Sequence, residues 1–154
     1  MRGKQAPKRK IAPESRFRSV KIAKFINYIM RDGKKSTAQR VVYQAFDIVA
    51  EVTKTDPLQI FEEALKHVSP SVEVKGKRIG GANYQIPMVV AGDRKLSLAF
   101  RWLITAAQKR KGKPMSEKLA GELMSAAKGE GEAVKKREDT YRMAEANKAF
   151  AHFA

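Results

Sequence analysis

Apolar residues recur three and four positions apart along most of this chain, which is the spacing of helices that bury one face. The first predicted helix begins with Ser19 as its N-cap and ends at Gly33. Its apolar face consists of Ile22, Phe25, Ile26 and Ile29. A second helix follows, because Ser36 and Gln39 have the spacing of a capping box ahead of a broad apolar stripe. That stripe predicts a helix buried in the core.

Four more helices are predicted from similar signals. The third begins at Asp56, which is followed by a proline suited to the first helical turn, and ends before Pro70. The fourth follows Asp93, the fifth has Ser116 as its N-cap, and the sixth runs from about Glu132 with a thin apolar stripe. The chain is therefore expected to be a helical bundle.

The periodicity changes from helical to alternating between the third and fourth helices. Val72 and Val74 alternate with charged residues, and a second alternating run holds Tyr84, Ile86, Met88 and Val90. This pattern predicts a β-hairpin at about residues 72–90, with residues 76–83 as an exposed, glycine-rich connection. A lone ribbon is marginally stable in water, so it should lean on the body or on a partner. The fold class is mainly α, with about six helices and one protruding hairpin.

The N-terminal segment has no periodicity. Residues 1–13 are basic, proline-containing and poor in large apolar side chains, so they should stay disordered until they meet a partner. With 154 residues, the chain is long enough for one hydrophobic core and short for two. We expect a basic RNA-binding arm at residues 1–18 and a single helical domain with the hairpin at residues 19–154.

The net charge of +16 is concentrated in two blocks. Residues 1–40 hold 13 Lys and Arg against two acids, a net charge of +11, and residues 75–118 hold 11 against two, a net charge of +9. Residues 41–74 are mildly acidic, and residues 119–154 are neutral. Segregated positive charge implies a polyanionic partner. Because no basic stretch carries the bulky apolar anchors of a membrane-binding helix, nucleic acid is the expected partner.

Candidate catalytic and metal-binding groups are scarce. There is no cysteine, and the two histidines, His67 and His152, have no ligand-spaced neighbours. Residues 33–36 resemble the end of a phosphate-binding loop, but Tyr28 stands where its first glycine should be. Trp102 is interpreted as a core residue in preference to a base-stacking one. We expect no enzyme activity, no cofactor and no metal site, and the missing secretory signal favours an intracellular protein.

The size and positive charge of the chain are compatible with three function classes. The first is an RNA-binding structural protein. The alternative is an architectural protein that bends nucleic acid with a β-ribbon arm, for which Pro87 would be the wedge, although Pro87 lies far from the tip. A basic RNA-processing enzyme would need a general base or a metal constellation, and none is visible.

Some cations also have simpler interpretations. Lys34 and Lys35 fit an ordinary solvated turn, and lysines of the hairpin can protect a sheet edge from aggregation.

Several longer segments resemble one known family. They are VEV (72–74), GGANYQIP (80–87), RWL (101–103), VKKREDT (134–140) and MAEANK (143–148), with KFIN (24–27) and GKK (33–35) in the same order. Together these segments resemble the bacterial-type small-subunit ribosomal protein seven family, over residues 20–152. Residues 12–17 depart from the family's usual Leu-Pro-Asp-Pro pattern, and the chain ends at Ala154 where many members carry a longer tail.

The resemblance implies a function and a set of partners. The chain would be a cytoplasmic structural constituent of the small ribosomal subunit and a primary binder of the 3′ major domain of small-subunit ribosomal RNA. It would nucleate assembly of the subunit head and lie near exit-site transfer RNA and messenger RNA. Ribosomal proteins nine and eleven of the small subunit would be its protein neighbours.

The resemblance and the basic blocks together define the expected site residues. The residues expected to contact ribosomal RNA are Lys8, Arg9, Lys10, Lys34, Lys35, Lys75, Lys77, Arg78, Arg94, Lys95, Arg101, Lys109, Arg110 and Lys111. Those expected near transfer RNA are Gly80, Gly81, Ala82, Asn83, Arg142 and Lys148.

Overall fold

The computed structural model describes Gly3, Pro7 and residues 9–153. Across these residues the chain forms α1 (Val20–Ile29), α2 (Lys35–Thr53), α3 (Pro57–Val68), β1 (Val72–Ile79), β2 (Ala82–Val89), α4 (Gly92–Lys109), α5 (Met115–Ala127), α6 (Glu132–Ala146) and a C-terminal 3₁₀ helix (Lys148–Phe153). The predicted fold class, mainly α with one hairpin, is confirmed. None of the helices formed by these residues is long and apolar enough to cross a membrane.

The core is built around α5, which packs against α2, α3 and α4. Four buried phenylalanines from α1, α2, α3 and α4 meet beside it, namely Phe25, Phe46, Phe61 and Phe100. The ring centroid of Phe25 lies 5.2 Å from those of both Phe61 and Phe100. Tilted aromatic pairs at this spacing add to the gain from burying their surface. The cluster thereby ties four helices together.

The observed helix starts confirm some of the predicted caps and correct others. Asp56 caps α3 as predicted, since its carboxylate accepts the Leu58 N–H at 3.0 Å. The predicted caps Ser36 and Ser116 are wrong. Each lies inside the first turn, with Lys34 and Pro114 at the N-cap positions of α2 and α5. A serine near a helix start is a local signal, and in both cases the N-cap lies two residues before the serine.

The hairpin occupies the predicted range, but its paired strands are longer and its turn is tighter than predicted. Its strands pair in register from Val72 opposite Val89 to Ile79 opposite Ala82, so most of the expected 76–83 connection is paired strand. The turn consists of Gly80 and Gly81, whose φ angles are +56° and +88°. Two residues at positive φ form the turn type whose twist matches the flanking strands, and glycine adopts this conformation without strain. The predicted loop is thus corrected to a two-residue turn.

The hairpin leans on the helical body and on the C-terminal 3₁₀ helix. At its base, the Tyr141 hydroxyl of α6 lies 2.9 Å from the backbone N and from Oγ of Ser71. Further out, the ring of Tyr84 packs against Phe150 and Phe153, with centroids 5.1 and 6.0 Å away. The ribbon has the support that it was expected to need, but part of that support comes from a 3₁₀ helix that no sequence pattern predicted.

The N-terminal segment joins the body earlier than the expected arm boundary at residue 18. Glu14 is buried, and Phe17 packs edge-on against Phe46 of α2 at 5.3 Å between ring centroids. Residues 14–17 therefore belong to the packed structure. Six residues of the expected arm, including the predicted site residue Lys8, lie outside the described residues.

Candidate nucleic-acid interface

Clusters suited to metal binding are absent from the described ranges. In Gly3, Pro7 and residues 9–153, no group of three His, Asp or Glu residues could hold a metal ion. His67 is half-buried, with Nδ1 3.0 Å from the Ala126 carbonyl oxygen, so it links α3 to α5. The chemistry available at the surface is that of positive charge.

The N-terminal segment, α1 and α2 form a groove of about 490 Å³, which we call the arm groove. Arg9 and Lys10 line it from the N-terminal segment, and Lys35 lines it from the first turn of α2. All three side chains are exposed, as is that of the neighbouring Lys34. Cations that are about 25 residues apart in the sequence thus meet in one cleft, and α1 supplies Ala23, Ile26 and Asn27 as its wall.

The base of the hairpin holds two more predicted cations around one acid. The buried Glu73 carboxylate accepts hydrogen bonds from Arg94 at 2.9 and 3.2 Å and pairs with Lys75 at 3.1 Å. Burial raises the pKa of Glu73, but the hydrogen bonds and charges of Arg94 and Lys75 outweigh burial, so its pKa lies below its ordinary value. Both cations are partly neutralised here, and Arg94 also attaches α4 to β1, whereas Lys75 lies on the same strand as Glu73.

The outer half of the hairpin places its two cations differently. Arg78 is exposed, while the Lys77 ammonium donates a hydrogen bond of 2.8 Å to the backbone carbonyl of Phe153. Lys77 therefore attaches the C-terminal 3₁₀ helix to the ribbon. The residues expected near transfer RNA at the tip, Gly80, Gly81, Ala82 and Asn83, are all exposed.

A third surface lies where α1 packs beside α4. The Arg101 guanidinium lies 5.9 Å from the ring centroid of Tyr28, whose hydroxyl donates to Oγ of Ser97 at 2.8 Å. Stacking on an aromatic ring holds a guanidinium in place and leaves its charge uncompensated. Lys95, nearly two turns before Arg101 on α4, is half-buried.

A groove of about 530 Å³ separates α4 from α6 and contains cations that the sequence analysis missed. Its lining includes the predicted Lys109 together with Lys135 and Lys136 of α6. Trp102 packs against the core, as predicted, and one side of it also lines this groove. The cations and acids of residues 119–154 are equal in number, so the net charge of this segment is zero. The net charge therefore gave no sign of Lys135 and Lys136.

The remaining predicted cations are divided between free and paired positions. Lys111 is exposed after α4, whereas Arg110 donates two hydrogen bonds to the fully buried carboxylate of Glu122. Arg142 pairs with Asp139 on the same helix, and Lys148 lies 3.6 Å from Glu145. Arg110 is thus part of the fold as well as of the basic surface.

Comparison with known proteins decides the family. The family model described as ribosomal protein S7p/S5e matches residues 1–148 of the chain. The chain belongs to this family. Its predicted membership in the ribosomal protein seven family is confirmed.

Curated relatives carry the same assignment over nearly their whole length. A protein named small ribosomal subunit protein uS7 from Desulfatibacillum aliphaticivorans is 53% identical over 152 residues, covering 99% of this chain and 97% of the relative. The uS7 of Caldanaerobacter subterraneus is 56% identical over 147 residues, covering 96% and 94%. The uS7 of Thermotoga maritima is 53% identical over 153 residues, covering 99% of both chains.

Family membership settles the broad function class. As a member of a ribosomal protein family, the chain is a structural component of a ribonucleoprotein and not an enzyme. The alternative of an architectural bending protein is set aside. Its candidate wedge, Pro87, is half-buried in the middle of the ribbon opposite Val74.

Proposed function

We propose that the chain is a structural constituent of the small ribosomal subunit, working in the cytoplasm, and a primary binder of the 3′ major domain of its ribosomal RNA. By folding that RNA it would nucleate assembly of the subunit head. The hairpin tip and α6 would lie near exit-site transfer RNA and messenger RNA, with ribosomal proteins nine and eleven as neighbours. Family membership and the geometry of the basic surfaces support this proposal.

The arm groove is the observation that carries the RNA-binding part. Arg9, Lys10 and Lys35 line one cleft although α1 separates them in the sequence. Like charges repel, so bringing exposed cations together gains nothing for the isolated fold and favours a polyanion in the cleft. A phosphate backbone supplies that charge, and counterions released from it drive binding.

The separate surfaces favour a structured RNA over a short single strand. Cations lie in the arm groove, on the α1–α4 face, in the α4–α6 groove and on the hairpin. Phosphate contacts position a protein without reading sequence, and several contacts that point in different directions require a ligand of defined shape. A folded ribosomal RNA junction has such a shape.

The proposal is tested with the isolated 3′ major domain of ribosomal RNA. We expect the protein to bind this RNA more tightly than a DNA duplex of equal length at equal salt, and to protect one contiguous RNA region from chemical cleavage. Exchange of Lys34 and Lys35 for alanine should weaken binding. The matched control exchanges Lys54 and Lys66, two exposed lysines of the acidic block, and should change affinity little. Equal affinity for RNA and DNA would contradict the proposal.

A further inference from the structure

Glu14 is a buried carboxylate inside the most basic part of the chain, and the proposed RNA contacts do not use it. Its Oε1 accepts the Arg16 N–H at 2.7 Å and the Tyr43 hydroxyl of α2, and its Oε2 accepts the Phe17 N–H at 2.7 Å. Ser15 Oγ adds a weaker contact at 3.3 Å. Both oxygens are therefore occupied by donors of the protein itself, which compensates the cost of burying the charge.

The residues after Glu14 connect this carboxylate to α2. Phe17 packs edge-on against Tyr43 and Phe46, and the Arg16 guanidinium pairs with Asp47 at 2.6 Å. Gln39, which donates to the Tyr43 hydroxyl at 2.5 Å, holds the tyrosine in the orientation that meets Glu14. Glu14 and Gln39 both line the arm groove, so this group of contacts is continuous with it.

We propose that Glu14 is a positioning residue for RNA binding: it fixes the chain at the mouth of the arm groove so that Arg9 and Lys10 are held beside Lys35. This inference rests on the proposed function, because it assumes that these cations bind RNA phosphate. Glu14 is an acidic residue that helps to bind a polyanion. It does so indirectly, by holding the segment that carries Arg9 and Lys10.

The length of the tether determines the size of the effect. Four residues separate Lys10 from Glu14, so a fixed Glu14 keeps the Cα atom of Lys10 within about 14 Å of its own. Without the carboxylate, the nearest residue packed into the core is Phe17, seven residues away, because the Arg16–Asp47 pair is exposed and holds the chain only weakly. The reach then grows to about 24 Å. The local concentration of the arm cations at the groove then falls roughly two- to fivefold.

The sign of the effect separates positioning from simple electrostatics. Glu14→Gln removes a negative charge beside bound phosphate, and Coulomb's law alone predicts tighter RNA binding. Positioning predicts weaker binding, because an amide keeps only one acceptor oxygen and turns an NH₂ group toward the donors at the other position. It therefore cannot accept from the Arg16 N–H, the Phe17 N–H and the Tyr43 hydroxyl together, as the carboxylate does.

The experiment measures affinity for the 3′ major domain RNA in the full-length protein. We expect Glu14→Gln to weaken binding two- to fivefold, and Tyr43→Phe, which keeps the ring on Phe17, to weaken it in the same direction. Glu51→Gln, an acid-to-amide change at an exposed site of α2, is the matched control and should leave affinity unchanged or slightly raised. Melting temperatures of all variants are measured beside these affinities.

A double-mutant cycle tests whether Glu14 acts through the arm. In a chain that carries Arg9→Ala and Lys10→Ala, the further change Glu14→Gln should alter affinity by less than about 1.5-fold, because the two cations that Glu14 holds beside Lys35 are gone. An equal loss in both backgrounds, or a gain in affinity from Glu14→Gln alone, overturns the inference. If Glu14→Gln fails to fold, Tyr43→Phe in the same cycle decides.

The same measurements distinguish failure of this inference from failure of the proposed function. If exchanges at Arg9 and Lys10 do not weaken RNA binding while those at Lys34 and Lys35 do, the positioning role is wrong and the proposed function stands. If neither pair affects binding, the proposed RNA interface itself is wrong.

Discussion

The guanidinium of Arg110 and the carboxylate of Glu122 form a paired hydrogen bond between the end of α4 and the middle of α5. Nε and Nη2 of Arg110 lie 3.0 and 2.8 Å from Oε2 of Glu122, whose side chain is 0% exposed. The other oxygen accepts the Ala133 N–H of α6 at 3.0 Å. Next to it, Gly131 has a φ of +98°, and a Cβ there would lie 2.9 Å from Oε1. Glu122 thus joins three helices.

This relationship predicts that Arg110 contributes to stability as well as to RNA binding. Arg110→Ala leaves a buried carboxylate without its cation, and we expect unfolding free energy to fall by about 2–3 kcal/mol, since the guanidinium is partly exposed. Lys109→Ala and Lys111→Ala, which remove exposed cations next to it, should each cost under about 0.5 kcal/mol. Urea unfolding of the three variants checks the difference. Equal stability of all three would contradict the structural role of Arg110.

The elements predicted well are those with short-range signals. The cap of α3 at Asp56, the apolar face around Phe25 and the alternation in the hairpin depend on residues within four positions of each other. Helix and strand types follow from such spacings. Among the described residues, the expected cations other than the half-buried Lys95 are exposed, because long charged side chains seldom stay buried without a partner.

The features that the sequence analysis missed depend on partners far along the chain. Nothing near Glu14 indicates that Tyr43 meets its carboxylate, and nothing near Lys77 indicates that Phe153 accepts its hydrogen bond. Residues 148–153 have no helical periodicity, and their order comes from Tyr84 on the hairpin. A basic residue such as Arg110 has the same sequence signature whether it pairs with a buried acid or with phosphate.

The hairpin base should weaken in acid because of Glu73. Its pKa is lowered in the folded protein, so its stabilising effect is complete above the unfolded-state pKa, about 4.3, and is lost as the pH falls through the lower folded value. We expect Glu73→Gln to lower the unfolding free energy by about 1 kcal/mol at pH 7, since Arg94 and Lys75 are half-exposed. Urea unfolding should show this difference shrinking below about pH 4. A constant difference from pH 7 to pH 3 would argue against the charge of Glu73 as the cause.

RNA affinity should depend strongly on salt. The basic surfaces act by neutralising phosphate, so log affinity for the 3′ major domain should fall linearly with log salt concentration. Between 50 and 200 mM monovalent salt we expect a loss of about a hundredfold or more. A filter-binding titration across this range provides the slope. Affinity that does not change with salt would show that the exposed cations are not the main contacts.

The outer hairpin is expected to act in binding and not in folding. Exchange of Lys77 and Arg78 for alanine changes two exposed residues near the two-glycine turn. The structural contact given up is the exposed hydrogen bond from Lys77 to the Phe153 carbonyl, so the melting temperature should stay near that of the parent chain. If the two side chains bind phosphate of the head RNA, the salt slope should flatten by up to about two units. Salt titrations of the double variant and of the Lys54 and Lys66 control provide the comparison.

Single variants divide the effect between the two side chains. Lys77 holds the Phe153 carbonyl, whereas Arg78 is exposed, so Arg78→Ala tests RNA contact without loosening the C-terminal 3₁₀ helix. If the tip faces transfer RNA, affinity for the isolated head RNA stays constant and reconstituted subunits retain less exit-site transfer RNA. If neither measurement responds to Arg78→Ala or to the double exchange, the charges protect the sheet edge from aggregation and take no part in RNA binding.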